Sequence, residues 1–301
     1  MVSRRAFLGI VGATSVGVLA VVGGVFHDRV ESVLGHVPDV LPDSEIPPVP
    51  EVPPTSDAPP VSDAMPSGAV VSNGTTWTPT LAEDFLRDAA TGDVLTAYPA
   101  MNAYPGGRDT SGHGTYAPER VLSVHDSVLD FHLRTVDDRH LVASVLPDDY
   151  RPHLYGRVQL RYRASSARGY KFVGLFWPSS DRWNDGEIDW PEGDLDARTR
   201  PASAIVGSIG FWTRTMRFLP DREHFAPTDQ TGFHVATTEW TPDAIRFYWD
   251  DDLIAEVNAG IPTTPMRVTL QAETWIGRGA PPEGAEGHIE IDWIVVYDRT
   301  A

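Results

Sequence analysis

The chain has 301 residues, no cysteine, and 42 acidic against 24 basic residues, which gives a formal net charge of −18. This balance argues against nucleic acid as a partner, because phosphate binding needs a basic surface. It also disfavours sulfated or uronic polymers as substrates. The absence of cysteine excludes disulfides, a thiol nucleophile and any cysteine-based metal site.

Residues 1–26 are predicted to be a targeting segment that takes no part in the fold. Residues 3–8 read SRRAFL, which resembles a twin-arginine export signal. The apolar run over residues 7–26 is long enough to span a bilayer. We therefore expect a protein that is secreted, or that stays outside the cytoplasm on an uncleaved N-terminal membrane anchor.

Residues 27–72 are predicted to be a disordered linker. Nine prolines lie between residues 38 and 60, interleaved with aspartate and glutamate. Such a composition buries too little apolar surface to offset the entropy of ordering the chain. Prolines and like charges keep the segment extended, so it would act as a spacer.

Residues 73–301 are predicted to form one all-β domain. Short runs alternate apolar and polar side chains, and convincing amphipathic helices are lacking. Many short strands with turns between them indicate an antiparallel sandwich. The apolar positions of the clearest runs are Leu129, Phe131 and Leu133; Val158, Leu160 and Tyr162; Ile245, Phe247 and Trp249; and Ile289, Ile291, Trp293, Val295 and Tyr297.

Residues 183–192 carry the densest mixture of acidic and aromatic side chains in the chain. In an extended strand, Glu187 and Asp189 point to the same face, because side chains alternate with period two. Glu192 has the opposite parity. A β-bulge at Pro191 would insert one extra residue and bring Glu192 onto the face of the other two.

Three crowded carboxylates suit the cleavage of a glycosidic bond. Like charges at close range raise one pKa, so that one carboxyl stays protonated while its neighbour is ionised. On one strand face the carboxyls can lie about 5–5.5 Å apart, the separation of retaining glycosidases. We predict Glu187 as nucleophile, Glu192 as general acid and then base, and Asp189 as a hydrogen-bond partner of Glu187.

Two other interpretations of this segment remain open. The acidic residues from Asp181 to Glu192 fit several positions of an EF-hand calcium loop. However, Trp183 offers no oxygen at the third position, and Pro191 stands where a helix should begin. The segment could also be a solvated acidic strand without a function, although Trp183 and Trp190 are atypical of a plain surface.

The spacing Glu-x-Asp-x-x-Glu resembles the signature of glycoside hydrolase family 16. The run 155–163 resembles the family strand that precedes the motif, and the runs 233–243, 270–275 and 291–297 resemble strands that follow it. The order is that of the family, and the resemblance covers residues 77–298. It implies a concanavalin A-like jelly roll of two curved antiparallel sheets, with a substrate groove across the concave one. The bulged motif is most similar to the branch that acts on β-1,3-glucans.

The resemblance implies a retaining endo-β-glycanase whose partner is a polysaccharide, and we expect it to act as a monomer. Other members of the family cleave galactans or transfer glycans, and these activities remain possible. The alternative from another class is a lectin-like sandwich that binds carbohydrate without turnover. Three packed acids disfavour a pure binder, which has no use for them.

Strand parity and the resemblance together suggest which residues bind the sugar. Sugar rings stack on aromatic side chains, and their hydroxyls need polar partners. The predicted substrate-binding residues are Trp183, Trp275, Glu273, Gln271, Trp177 and Arg161. The alternative for Arg161 is a structural ion pair, and the alternative for the three tryptophans in this set is a place in the core. Four other tryptophans are predicted to lie in the core: Trp190, Trp240, Trp249 and Trp293.

No cofactor is required, since two carboxylates suffice for the reaction. A structural calcium occurs in parts of the family, and Asp292 matches its side-chain ligand, although an exposed strand aspartate fits equally well. Residues 205–212 are small where the family often carries His or Asn, which leaves substrate preference open. The loops 214–229 and 277–287 are expected to shape the ends of the groove.

Overall fold

The computed structural model describes residues 63–206, 216–220, 222–227 and 229–300. The predicted export signal, most of the predicted linker and parts of the 205–212 and 214–229 segments lie outside the described residues. Within the described ranges, no helix is long and apolar enough to cross a membrane.

The described residues form eighteen strands, two short α-helices and one 3-10 turn. The helices are α1 (Val94–Ala97) and α2 (Pro118–Val121), and the 3-10 turn is Trp183–Asp185. The strands are β1 (Val70–Ser72), β2 (Thr75–Glu83), β3 (Asn102–Ala103), β4 (Gly114–Tyr116), β5 (Leu122–His125), β6 (Val128–Val136), β7 (Arg139–Val142), β8 (Ser144–Leu146), β9 (Gly156–Ala164), β10 (Tyr170–Pro178), β11 (Glu187–Asp194), β12 (Arg200–Val206), β13 (Met216–Leu219), β14 (His234–Trp240), β15 (Ile245–Trp249), β16 (Asp252–Val257), β17 (Met266–Thr274) and β18 (Gly287–Thr300).

The strands form two sheets. The seven-stranded sheet has the order β13-β12-β11-β10-β17-β8-β3, and the eleven-stranded sheet has the order β16-β15-β14-β9-β18-β6-β7-β4, with β2, β1 and β5 attached at its side. Only the β4–β7 pair is parallel among the described pairings. The predicted all-β sandwich is therefore confirmed.

One hydrophobic core lies between the two sheets. Alternate residues of β10 enter it, such as Phe172 and Phe176, because successive strand side chains point to opposite faces. Trp190, Trp240 and Trp249 are buried in this core, as predicted. The other face of the seven-stranded sheet, which we call the open face, carries the alternate residues of β10, β11 and β17.

Trp293 is buried in a different place from the one predicted. A register shift between Ile291 and Trp293 adds a residue to β18, so the later part of the strand changes face. Its side chains join a second apolar cluster on the far side of the eleven-stranded sheet. That cluster consists of Trp77, Val235, Trp293, Val295 and Tyr297.

The folded part begins before the predicted boundary at residue 73. Met65 and Val70 pack against the second cluster, and Val70–Ser72 pairs with β2. The Asp63 carboxylate lies 2.7 Å from Arg161. Residues 63–72, predicted as linker, therefore belong to the domain, because they cover apolar surface that the sheet leaves open.

Candidate active site

The β-bulge predicted at Pro191 is present in β11. Asp189 lies opposite Leu175, and Glu192 lies opposite Val173, so Trp190 and Pro191 together face the single residue between them, Gly174. A Cβ atom on Gly174 would lie 3.0 Å from the Trp190 carbonyl oxygen and 3.3 Å from Pro191 Cδ. A glycine is therefore what lets β10 pass this close to the bulge.

The bulge brings the three carboxylates onto the open face. Ile188 and Trp190 are buried in the core, and the Trp190 Nε1 group donates to the Tyr248 carbonyl of the other sheet at 2.8 Å. Glu192 keeps 19% of its side chain exposed. The strand thus turns Ile188 and Trp190 towards the core and its three acids to the opposite face, where Asp189 is still buried.

Trp183 is positioned by the turn that precedes β11. Gly186 ends this turn with φ 116, a backbone conformation that L side chains rarely adopt. Trp183 Nε1 donates to Glu187 Oε2 at 2.5 Å, and its half-buried ring lies 6.2 Å from that of Phe218. The turn therefore places an indole directly beside the first carboxylate.

Burial raises the pKa of Glu187, and the charge of Glu192 adds to the effect, while the Trp183 hydrogen bond opposes it. Burial also raises the pKa of Asp189 well above its usual range, reinforced by the charges of Glu187 and Glu192. These two carboxyls therefore tend to hold a proton. Asp189 Oδ1 has no hydrogen-bond partner in the part of the chain that is described.

Glu192 has the opposite tendency. Its Oε1 atom lies 3.1 Å from Lys171 Nζ, and its Oε2 atom lies 4.0 Å from Arg200 Nη2. Burial opposes ionisation of Glu192, but the charges of Lys171 and Arg200 outweigh burial and lower the pKa. The pKa values of the three carboxyls are thus shifted in opposite directions, upward for Glu187 and Asp189 and downward for Glu192.

The predicted contacts on β17 have different outcomes. Gln271 is half-buried on the open face and accepts from Ser144 Oγ at 3.2 Å. Trp275 follows the strand, flanked by the guanidinium groups of Arg168 and Arg278 at 5.8 and 5.4 Å from its ring centre. Both side chains are partly accessible to a ligand.

Glu273 has the predicted parity but is not accessible, which corrects its assignment as a sugar contact. Its Oε1 atom accepts from Thr110 Oγ1 at 2.7 Å and from the Tyr116 hydroxyl at 2.5 Å. The segment 110–116, which includes β4, carries these donors and covers the carboxylate, which is buried. Its partners lie too far away in sequence for strand parity to indicate them.

Trp177 lies on β10 with the parity of Lys171 and is half-buried. Its Nε1 group donates to Asp181 at 3.3 Å, and Asp181 also accepts from Arg267 at 2.5 Å. Trp177 is therefore on the open face as predicted. Its indole N–H is fixed by Asp181, which is itself paired with Arg267.

The predicted role of Arg161 in the substrate groove is wrong. Arg161 belongs to β9 of the eleven-stranded sheet. Its neighbours Leu160 and Tyr162 point into the core, so the Arg161 side chain points to the opposite face of that sheet, away from the core and from the open face. It pairs with Asp292 and with Asp63. The ion pair that was the alternative interpretation is the one observed.

The same ion pair corrects the prediction for Asp292. One carboxylate oxygen of Asp292, Oδ2, accepts from Arg161, and an arginine beside a carboxylate repels a cation. The described residues also contain no group of three or more His, Asp or Glu side chains arranged to hold a metal. The residues present therefore do not fit a calcium ligand set at Asp292.

Lys171 and Arg200 were missed by the sequence analysis. Lys171 is the one charged residue in the strand Tyr170–Pro178, and its parity is opposite to that of the core residues Phe172 and Phe176. A lone charged residue in an otherwise apolar strand is a signal that could have identified it. Its contact with Glu192 required the register between β10 and β11.

Comparison with known proteins identifies the family. A family model described as glycosyl hydrolases family 16 matches residues 143–295, just over half of the 301 residues. A β-glucanase of Rhodothermus marinus is 27% identical over 168 residues, which are 48% of this chain and 57% of that protein. The matched part is thus less than two thirds of the relative's length.

Solved structures agree with the fold. The laminarinase of Rhodothermus marinus matches with a TM-score of 0.59 at 20% identity, covering 75% of this chain and 98% of that one. The endo-β-1,3-glucanase of Pyrococcus furiosus gives a TM-score of 0.58 at 17% identity, covering 78% and 99%. With the match to the family model, these findings establish that the chain belongs to glycoside hydrolase family 16 and is a glycoside hydrolase with the jelly-roll fold of that family.

Proposed function

We propose that the protein is a retaining endo-β-glycanase that hydrolyses a β-linked polysaccharide, with a β-1,3-glucan as the first substrate to test. The observation that carries the proposal is the bulge in β11, which aligns Glu187, Asp189 and Glu192 on the open face. Two carboxyls on one face of a strand are the minimum that a double displacement needs.

In the first step, the Glu187 carboxylate attacks the anomeric carbon and forms an ester with it. Glu192 gives its proton to the glycosidic oxygen, and the sugar on the leaving side departs with a free hydroxyl. In the second step, Glu192 takes a proton from water. The water oxygen attacks the anomeric carbon, the ester to Glu187 breaks, and the original configuration is restored.

The pKa shifts of the free site run against the first step. Burial raises the pKa of Glu187 and of Asp189, whereas at Glu192 the charges of Lys171 and Arg200 outweigh burial and lower the pKa. The reaction needs the same number of protons, with one moved to Glu192. Binding of the sugar and exclusion of water would therefore accompany a proton shift within the cluster.

Asp189 is suited to this shift. Its pKa is raised, so at moderate pH it can carry the proton and donate a hydrogen bond to Glu187 when Glu187 ionises. Its Oδ1 atom has no competing partner among the described residues. A hydrogen bond of this kind would stabilise the carboxylate that attacks the sugar.

The β-1,3-glucan assignment rests on the bulged motif and on the relatives, which are named as a β-glucanase, a laminarinase and an endo-β-1,3-glucanase. The partly accessible side chains that would contact the sugar are Trp183, Trp275, Gln271 and Trp177. The acidic protein suits a neutral polymer better than an anionic one.

The proposal is tested by following hydrolysis of a panel of neutral and acidic polysaccharides, with NMR detection of the anomer released first. We expect oligosaccharides of retained configuration from a β-1,3-glucan. Glu187→Gln should lower turnover by more than about 10⁴-fold and keep glycan binding. Glu256→Gln, an exposed carboxylate on the other sheet, is the matched control and should retain full activity. Inverted products, or a Glu187→Gln variant with near wild-type turnover, would contradict the proposal.

A further inference from the structure

Lys171 occupies an unusual position for a lysine. It lies in the middle sheet strand β10, and only 12% of its side chain is exposed. On the neighbouring strands its Cα is opposite those of Asp194 and Glu273. Buried lysines are rare unless they are paired, because removing the ammonium group from water is costly. The position therefore requires a specific partner.

The partner is Glu192. Lys171 Nζ lies 3.1 Å from Glu192 Oε1. The nearby Glu273 carboxylate accepts hydrogen bonds from Thr110 and Tyr116 instead, and Asp194 pairs with Arg278 at 2.7 Å. Lys171 is thus committed to one carboxylate of the cluster. The charged groups around it are Glu187, Asp189, Glu192 and Asp194 of β11, Arg200 of β12, Glu273 of β17, Asp109 behind Glu273, and Arg278 beyond Asp194.

On the basis of the proposed function, we propose that Lys171 is a positioning residue that holds Glu192 as a base, and so favours the second, hydrolytic step over the first. The ammonium group fixes one carboxylate oxygen by a charge-assisted hydrogen bond. It also stabilises the ionised form, which must take a proton from the attacking water. The same contact disfavours the protonated form that the first step requires.

Lys171 stays charged while it does this. Burial opposes its charge, but Glu192 and Glu273 outweigh burial and raise the pKa of Lys171. The ammonium group therefore stays protonated over the pH range in which glycosidases act, and the pH dependence of the rate comes from the carboxyls. An opposite charge at this range lowers a carboxyl pKa by about 1–3 units. Without Lys171, Glu192 would stay protonated to higher pH.

The two steps can be separated by the choice of substrate. A β-1,3-gluco-oligosaccharide needs the acid in the first step. A 2,4-dinitrophenyl laminaribioside does not, because its leaving group departs without a proton, so its turnover reports on the second step. In Lys171→Gln, the alkaline limb of kcat/KM for the oligosaccharide should move up by about 1–3 pH units. For the dinitrophenyl substrate below neutral pH, kcat and KM should both fall about tenfold as the glycosyl-enzyme accumulates.

Two further variants separate charge from structure. Lys171→Arg keeps the cation and should restore most of the wild-type pH profile. Arg246→Gln removes an ion pair with Glu256 on the other sheet and should leave both profiles unchanged. An alkaline limb that stays within a few tenths of a unit in Lys171→Gln, or equal losses of kcat on both substrates with KM unchanged, would overturn the inference.

An NMR titration of the unmodified protein covers the case in which Lys171→Gln does not fold. The carboxyl-carbon signal of Glu192, assigned by its loss in Glu192→Gln, should titrate below the ordinary glutamate value of about 4.3. A midpoint above that value would refute the role of Lys171. The proposed function fails differently, through inverted products or an active Glu187→Gln variant, so the two failures can be told apart.

Discussion

Two buried acids, one in each sheet, have opposite surroundings. Glu239 in β14 is 1% exposed and accepts from Arg157 Nε at 3.0 Å and from Asn73 Nδ2 at 2.8 Å. Asp189 in β11 is 4% exposed, and its Oδ1 atom has no partner among the described residues. Its charged neighbours on the same strand are two further carboxylates. Equal burial thus coexists with full pairing in one sheet and with a surplus of acid in the other.

The same contrast extends over both sheets. On the eleven-stranded sheet, acids lie beside arginines, as in Arg163–Glu290 and Arg246–Glu256. On the open face, three carboxylates share Lys171 and a more distant Arg200. Unpaired buried acids cost stability, and strongly shifted pKa values concentrate at functional sites. The difference agrees with the proposed function, in which the open face carries the reacting carboxyls.

The largest expected effect is the loss of turnover when the proposed acid of the open face, Glu192, is removed. Glu192→Ala should lower turnover of β-1,3-gluco-oligosaccharides by about 10²–10⁴-fold, because the leaving sugar loses its proton donor. The first step of a dinitrophenyl glycoside should be spared, since its leaving group needs no proton. Stopped-flow release of dinitrophenol measures this step. Equal losses in the first step on both substrates would remove Glu192 from the acid role.

Substitution of the paired acid, Glu239, should lower the stability of the protein. Glu239→Gln leaves Arg157 buried without its carboxylate, and we expect a loss of about 3–5 kcal/mol in the free energy of unfolding. Glu256→Gln removes an exposed pair of similar geometry and should cost about 1 kcal/mol or less. Urea denaturation measures both. Equal losses in the two variants would mean that burial of the pair has little importance.

Substitution of the unpaired acid, Asp189, should instead raise the stability of the protein. The pKa of Asp189 is raised in the folded protein, so wild-type stability is fully present below the ordinary aspartate pKa and is lost as pH rises towards the folded value. Asp189→Asn removes that loss. Its Tm should match wild type near pH 4 and exceed it at pH 8, by about 2–4 °C for each kcal/mol recovered. A variant less stable than wild type at pH 8 would contradict the contrast between the two acids.

The smallest effect is expected at Trp183. Trp183→Phe keeps an aromatic ring but removes the donor to Glu187 Oε2. Hydrogen bonds to charged groups contribute about 1.5–3 kcal/mol, so kcat should fall about 10- to 100-fold. The hydrogen bond lowers the pKa of Glu187, so its loss should move the acidic limb of the pH profile upward. An unchanged acidic limb would show that the indole only packs.

Local spacing was enough to predict the centre of the site. The acids at 187, 189 and 192 have mismatched parity, and Pro191 cannot donate a ladder hydrogen bond, so a bulge there was the simplest solution. The register shift of β11 confirms it. The bulge in β18 has no proline to mark it, and the face of Trp293 was therefore predicted wrongly.

Long-range contacts explain the other errors. Arg161 has the alternation of a sheet residue, but alternation does not tell which of two sheets a strand joins. Glu273 has the right parity, yet the segment 110–116, more than a hundred residues earlier in the chain, covers it. Lys171 is 21 residues from Glu192, and only the β10–β11 register brings them together. Parity gives the face of a strand, whereas partners and access depend on tertiary structure.

The most direct test is to trap the covalent intermediate. A 2,4-dinitrophenyl 2-deoxy-2-fluoro-laminaribioside should inactivate the enzyme, because the fluorine slows both steps and the good leaving group restores only the rate of the first. Peptide mass mapping should then find the sugar esterified to Glu187, with no adduct in Glu187→Gln. Rapid turnover to inverted product without any adduct, or a stable adduct on another residue, would contradict the account.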